Sequence, residues 1–256
     1  MRGWERNAGN LSASLSFYGP WEMRGGVKLI TSPVTYSVFN IALLTDPVSD
    51  LEGEMERRIR IAEAHYAAKQ RQWSFWVCED FLGTRTARRI LKIFENAGLI
   101  CIAESPGMET EEMVAPRREL PQLEYRKVED RTTRSDFSRV VSQCFHIPTA
   151  IAQRIYESSE PWHAPLEIWL GYFDGYAVTS TAVIEAAGAL GIYSVATLPP
   201  WRGRGMGEAI MRHAVGDMRQ RGVRGPLVLQ SSPAGLDLYR RLGFRRTTRY
   251  SVFATT

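Results

Sequence analysis

The chain has 256 residues, of which 44% are hydrophobic and 23% charged. These proportions exclude a disordered chain or a fibrous repeat, and the length suffices to bury a core without disulfide or metal staples. The formal net charge of +4 is a mild basic excess, which describes a solvated surface rather than a nucleic-acid interface.

In chain order, Arg2, Glu5, Arg6 and Asn10 stand where a secretory signal needs an apolar stretch, so a cytoplasmic protein is expected. A short helix is predicted over Asn10–Tyr18, and Gly19-Pro20 and Gly25-Gly26 then break the chain. Val34–Leu44 reads as a strand. Met55, Ile59, Ala62 and Tyr66 give a helix, Ser74–Cys78 a buried strand, Ala87–Phe94 a second helix stopped by Gly98, and Leu99–Ala103 a strand. Ser105–Pro121 lacks periodicity and reads as a linker, which divides the chain at 1–120 and 121–256. The second part begins with a strand at Leu123–Val128 and helical sequence from Ser135 to Tyr156. Strands follow at Leu166–Phe173, Val178–Glu185 and Leu190–Thr197, the first two joined by a hairpin at Asp174-Gly175. A helix over Gly205–Arg221, a strand at Leu227–Gln230, a short helix at Leu236–Leu242 and strands at Phe244–Tyr250 and Val252–Ala254 complete a mixed α/β class. No run approaches the roughly 18 apolar residues of a membrane span, so no membrane partner is expected.

Cys78, Cys101 and Cys144 form no CxxC pair and suit reduced thiols. His65, His146, His163 and His213 are scattered without ligand spacing, so no metal site is expected. The cationic residues are mostly arginine, lysine being confined to Lys28, Lys69, Lys92 and Lys127. Arginine's planar fork suits phosphate.

The chemistry concentrates between a predicted strand and a predicted helix, in Val195-Ala196-Thr197-Leu198-Pro199-Pro200-Trp201-Arg202-Gly203-Arg204-Gly205-Met206-Gly207-Glu208. Glycines let successive N–H groups point into one concavity, the helix start adds partial positive charge, and Arg202 and Arg204 add full charges. This describes a diphosphate cradle. No Lys-Ser/Thr follows Gly205, which excludes a Walker loop, and Gly203-x-Gly205-x-Gly207 has the wrong spacing for a dinucleotide fingerprint.

Arg202-x-x-Gly205-x-Gly207 after Thr-Leu-Pro-Pro, followed by Leu238-Tyr239-Arg240-Arg241-Leu242-Gly243-Phe244, resembles the acyl-CoA loop and penultimate helix of the GNAT superfamily of N-acyltransferases. The resemblance covers about residues 121–256 and implies a twisted, mostly antiparallel mixed sheet flanked by helices. It further implies that the strand ending at Thr197 splays from its neighbour, so that Val195, Ala196 and Thr197 bind the pantetheine arm of acetyl-CoA by β-augmentation. The amides of Gly203 to Glu208, Met206 among them, would hold the diphosphate, and a side chain on Gly205 or Gly207 would collide with it. By the same resemblance Tyr239 protonates the departing thiolate. At reference pKa values that transfer is uphill by about 2 kcal/mol. Ser232 matches a pantetheine contact of the family, and Ser232-Pro233 also reads as an N-cap with a proline at N1.

Glu167 and Glu185 are read as a general base or as ordinary surface carboxylates, and Trp162, His163, Trp169, Tyr172, Tyr176 and Tyr193 as core or as the lining of an acceptor cleft. Cys144 lies outside the linked motifs, so direct amine attack is expected rather than an acyl-cysteine. The function implied is transfer of an acetyl group to a primary amine of a small molecule or peptide, by a monomer or homodimer with no nucleic-acid partner. The alternative is a non-catalytic acyl-CoA sensor.

Laying Thr45 over Thr197, a shift of 152 residues, brings out a weak internal repeat with the same element order. Asp50 falls under Arg202, Glu52 under Arg204 and Met55 under Gly207; after a seven-residue insertion Phe94 falls under Tyr239. Two like domains are therefore expected, the first truncated and degenerate and the second catalytic. The first would bind no acyl-CoA and would cover a sheet edge and shape the acceptor cleft.

Overall fold

The computed structural model describes residues 1–157 and 165–255; Trp162 and His163 lie outside them. The elements of the first half are α1 (Gly3–Leu15), β1 (Trp21–Arg24), β2 (Val27–Ile30), β3 (Ile41–Leu44), α2 (Glu54–Ala68), β4 (Ser74–Cys78), α3 (Thr84–Asn96) and β5 (Ile100–Thr110). The second half comprises β6 (Glu124–Lys127), α4 (Arg131–Phe145), α5 (Thr149–Tyr156), β7 (Glu167–Phe173), β8 (Tyr176–Ala186), β9 (Ala189–Thr197), α6 (Met206–Gln220), β10 (Leu227–Gln230), α7 (Leu236–Arg241) and β11 (Arg245–Ala254). All eleven strands join one open sheet in the order β1-β2-β3-β4-β11-β5-β10-β9-β8-β7-β6. Among the described strands only the pairs β3–β4 and β9–β10 run parallel.

Side-chain alternation sorts the layers. Ala182 of β8 faces α4 and α5, whereas its neighbour Val183 faces α6 and α7. Ile41 and Leu43 of β3 face α1, whereas Ala42 and Leu44 face α2 and α3. Tyr18 and Tyr193 border both the α1 cluster and the α4–α5 cluster, so these three helices share a face.

The internal repeat has a spatial counterpart. The order reads the same outward from the β5–β11 pair: β10 then β9 on one side, β11's neighbour β4 then β3 on the other. Each half lends a strand to its partner. β11 lies between β4 and β5, and β5 lies between β11 and β10. Equivalent turns coincide in detail: Gly53 precedes α2 at φ 81°, ψ −4°, and Gly205 precedes α6 at φ 89°, ψ 2°.

Several elements depart from the sequence expectation. The predicted break at Gly25-Gly26 is a tight hairpin turn with both glycines at positive φ, joining β1 and β2. β1 is a four-residue edge strand, too short for its alternation of Trp21 and Met23 with Glu22 and Arg24 to mark it, and both apolar residues stay exposed. The strand expected over Val34–Leu44 starts only at Ile41, because Asn40 organises the preceding segment as a loop. Its amide donates to the carbonyls of Val34, Tyr36 and Gln72, and its carbonyl accepts from the Ser32 N–H and hydroxyl. β5 continues through Pro106 to Thr110, into the expected linker; a proline is tolerated there beside the bulge opposite Gly107. The single helix expected over 135–156 breaks at His146, whose left-handed φ of 55° ends α4. The two terminal strands are one, β11, with irregularities at Arg246/Thr248 and Val252/Phe253.

The amino-terminal helix is longer than expected, and its polar residues carry the reason. Asn7 and Asn10 are fully buried. Asn7 donates to the carbonyls of Met108 and Leu229, and Asn10 to those of Ile184, Ala186 and Ala189. Strand carbonyls at irregular positions thus find donors, and α1 is pinned across strands of both halves.

Candidate functional site

β9 and β10 pair only at Leu227↔Leu190 and Val228↔Gly191, and then part. The cause lies in β9. Ser194 adopts a left-handed φ of 48° within a bulge of β9, where Ser194 and Val195 stand against the single residue Thr181 of β8. Beyond it β9 stays bound to β8 by the Ser180 hydroxyl on the Ser194 carbonyl (2.9 Å) and the Thr179 hydroxyl on the Ala196 carbonyl (2.7 Å). Val195–Thr197 therefore border a cavity of about 950 Å³ that reaches Ser232, Gly235 and Tyr239 across the gap.

The glycine loop forms the next wall. Gly203 and Gly205 sit at φ 75° and 89°, where other residues would be strained. Among the described residues no side chain caps α6, and its first residues, Met206 to Glu208, line the cavity, so the positive end of its dipole lies there. Gly207 has ordinary helical geometry, and a Cβ there would meet Thr197 Oγ1 at 3.4 Å and Val195 Cγ1 at 3.8 Å. Gly207 is thus the position kept open toward the gap. Gly205 is not: its Cβ would meet Leu120, Pro121 and Arg118 of the linker. A side chain on Gly205 would first meet the linker, whereas one on Gly207 would enter the gap.

Except for Arg204, the residues expected to hold acyl-CoA all line this cavity. Arg204 instead lies over the Trp201 ring, 5.1 Å from its centroid. Arg202 turns back and donates to the Thr197 carbonyl (2.9 Å), and Glu208 pairs with Arg212 (2.7 Å). Ser232 accepts from the Gly235 N–H as a cap and also lines the cavity. Tyr239 lies across the gap from β9 and is 8% exposed; among the described residues its hydroxyl has no hydrogen-bond partner. Burial pushes its pKa up to about 12.

The other candidates are elsewhere. Glu167 is held by Lys127 and Arg221, and Glu185 lies exposed near the β8–β9 turn; neither borders the cavity. Trp169 packs on His213 beneath α6, Tyr172 donates to Asp136, Tyr193 donates to Asn10, and Tyr176 points to solvent. Those aromatics do not converge on one cleft.

Sequence reasoning missed part of the lining. Cys144 at the end of α4 borders the cavity, as do His146 and the linker residues Ala115, Arg117 and Arg118. No local period marked the linker. Burial raises the Cys144 thiol, against an opposing effect of Arg202, so it stays protonated at neutral pH.

In the first half the equivalent gap is closed. Val48 and Leu82 form a parallel bridge, with Val48 N–H donating to Phe81 (2.7 Å) and Gly83 N–H to Val48 (2.8 Å). Met55, under Gly207, is 1% exposed and fills the space. Phe94, under Tyr239, stacks on Phe253 at 3.7 Å. Asp50 accepts from the N–H groups of Arg85 (2.8 Å) and Thr86 (2.9 Å) at the start of α3. These bonds, chiefly the one from Thr86, hold its carboxyl below the usual range. Asp50→Ala is expected to lower the melting temperature. A depressed folded pKa stabilises above the unfolded value and loses that contribution as pH falls through the folded one. The deficit should therefore be full at pH 7 and narrow below about pH 4 on thermal melts across pH.

Residues 165–246 match the family model described as the acetyltransferase (GNAT) domain. None of the curated proteins matches the sequence. Among solved structures, a GCN5-related N-acetyltransferase from Kribbella flavida aligns over 100% of this chain and 96% of its own, at 17% identity and a TM-score of 0.75. One from Sphaerobacter thermophilus aligns over 95% and 84%, at 18% identity and 0.61. A tandem GNAT protein from the clavulanic acid biosynthesis pathway aligns over 90% and 78%, at 12% identity and 0.57. At these identities the likeness is one of fold.

Proposed function

Because the second half carries a GNAT acetyltransferase domain, we propose that the protein is an N-acetyltransferase that moves the acetyl group of acetyl-CoA onto a primary amine of a small molecule or peptide. The observation that carries this reading is the parting of β9 from β10, with Gly207 open toward the gap and, across it, a tyrosine hydroxyl that has no partner among the described residues.

In this reading the free edge of Val195–Thr197 takes the pantetheine arm as an added strand. The first amides of α6 take the diphosphate, with Gly203 and Gly205 shaping the turn that aims them. Acetyl-CoA supplies the thioester. Holding amine and thioester together makes attack effectively unimolecular. The neutral amine nitrogen forms a bond to the acetyl carbon, the C–S bond breaks, the sulfur leaves as thiolate, and the nitrogen gives up its surplus proton to water. A protonated Cys144 is a poor nucleophile, which favours direct attack over an acyl-cysteine.

In this reading Tyr239 does less than hand its proton to the thiolate. With its pKa near 12, full transfer to a thiolate of reference pKa 8.5 would be uphill by about 5 kcal/mol. Its contribution is then a hydrogen bond to sulfur as charge develops, with the proton drawn from solvent afterwards.

Incubation with acetyl-CoA and a panel of small amines and peptides, read by thiol release, tests the reading. Acetyl-CoA-dependent release with an acetylated product supports it. Tight binding of acetyl-CoA with no turnover on any acceptor would instead favour the sensor. Calorimetry with CoA should give one site per chain, because the Val48–Leu82 bridge and Met55 close the first-half gap. A stoichiometry of two would refute the closed half.

A further inference from the structure

We infer that the segment joining the two halves is a working part of the acyl-CoA site: it reads the 3′-phosphate of CoA through Arg117 and Arg118. This inference rests on the acyl-CoA reading of the cavity given above.

Three ties fix the segment over the cavity mouth. Val114 donates its N–H to the Leu242 carbonyl at the end of α7 (3.0 Å), and its own carbonyl accepts from Arg212 on α6. Further on, Arg118 Nη2 donates to the Gly203 carbonyl of the glycine loop (2.9 Å). Leu120 and Pro121 then pass over Gly205 closely enough that a Cβ there would meet Pro121 Cδ at 3.3 Å. The segment thus spans the two helices that flank the cavity, and it lies at the loop end, where a diphosphate would leave the first turn of α6.

Most of the donor capacity of the two strap arginines is uncommitted within the described residues. Arg117 and Arg118 line the cavity and are exposed. Among the described residues neither forms an ion pair; Arg118 spends one bond on Gly203 and keeps the rest of its fork free. Arg202 and Arg204, the cations of the loop itself, are turned onto a carbonyl and an aromatic ring. The diphosphate is met by backbone amides and the part of the Arg202 fork left free, while Arg117 and the remainder of the Arg118 fork stand beyond it. Past the diphosphate, CoA carries one more strongly anionic group, the phosphate on its ribose. Arginine binds such a group bidentately, and each charge-assisted contact of this kind is worth roughly 10- to 100-fold in affinity.

The test compares CoA with 3′-dephospho-CoA by calorimetry on the intact protein and on Arg117→Ala/Arg118→Ala. The native protein should prefer CoA by at least about tenfold. The double variant should bind both compounds with the affinity that the native protein has for dephospho-CoA, and the native preference should shrink as salt rises. Equal weakening of both ligands, or an unchanged preference, would overturn the inference while leaving the cavity an acyl-CoA site. Failure of the native protein to bind either compound would overturn the acyl-CoA reading itself.

Discussion

Gly207→Glu should abolish CoA binding and leave the protein folded, even slightly more stable. Gly207 is the second residue of α6, at ordinary helical φ, and its Cβ would touch Thr197 and Val195 at normal contact distance. No backbone strain accompanies the change. A carboxylate in the first helical turn favours the dipole, and replacing a helical glycine adds up to about 1 kcal/mol. Toward a diphosphate the sign reverses. Like charges about 4 Å apart cost on the order of 4 kcal/mol at an effective dielectric of 20, or roughly 1,000-fold in affinity. Calorimetry and thermal melting together decide: unchanged affinity in a folded variant would remove acyl-CoA from this cavity. Gly205→Glu is the poorer probe. Its φ of +89° and its contact with Pro121 would disturb folding and the strap together.

Tyr239→Phe should lower kcat by about 10- to 1,000-fold while the affinity for acetyl-CoA holds. The hydroxyl has no partner to lose among the described residues, so stability should move by less than about 0.5 kcal/mol. The first half already accommodates a phenyl ring at the equivalent place, in Phe94. Because burial pushes the Tyr239 pKa up to about 12, the residue stays protonated across neutral pH, and the native kcat–pH profile should show no inflection that disappears in the variant. Thiol release across pH, with KM followed separately, checks both statements. Turnover within a factor of two of native would make Tyr239 a packing residue, with water meeting the thiolate.

The site was legible in the sequence where its geometry is local. Gly203 and Gly205 take positive φ within a single turn, and the Thr45-over-Thr197 alignment found Gly53 at the same left-handed helix start. The parting of β9 and β10 entered through resemblance alone. Its physical cause is a left-handed serine, Ser194, which carries no glycine signal. The strap was invisible for a different reason. Its importance lies in Val114 meeting Leu242 and Arg118 meeting Gly203, pairs far apart in the chain and unmarked by any period. The same holds for Asn7 and Asn10: they interrupt the apolar face of α1 in sequence, and they anchor it on strand carbonyls far along the chain. Fold class followed from alternation of elements, whereas the choice of strand neighbours is a long-range matter that alternation does not encode.

The exchange of β5 and β11 between halves has a kinetic side. Cys78 on β4 and Thr248 on β11 are in contact across 170 residues of chain. Pairings at such separation close a large loop before they return any stabilisation, so this topology favours slow folding. During synthesis β4 must wait with an open edge until β11 emerges, and β5 waits for both β10 and β11. An unpaired inner strand is a template for association with other chains. Shortening the chain into β11 would therefore leave β4 and β5 facing each other across an empty lane, and the loss would spread to the half of the molecule that the cut never touched.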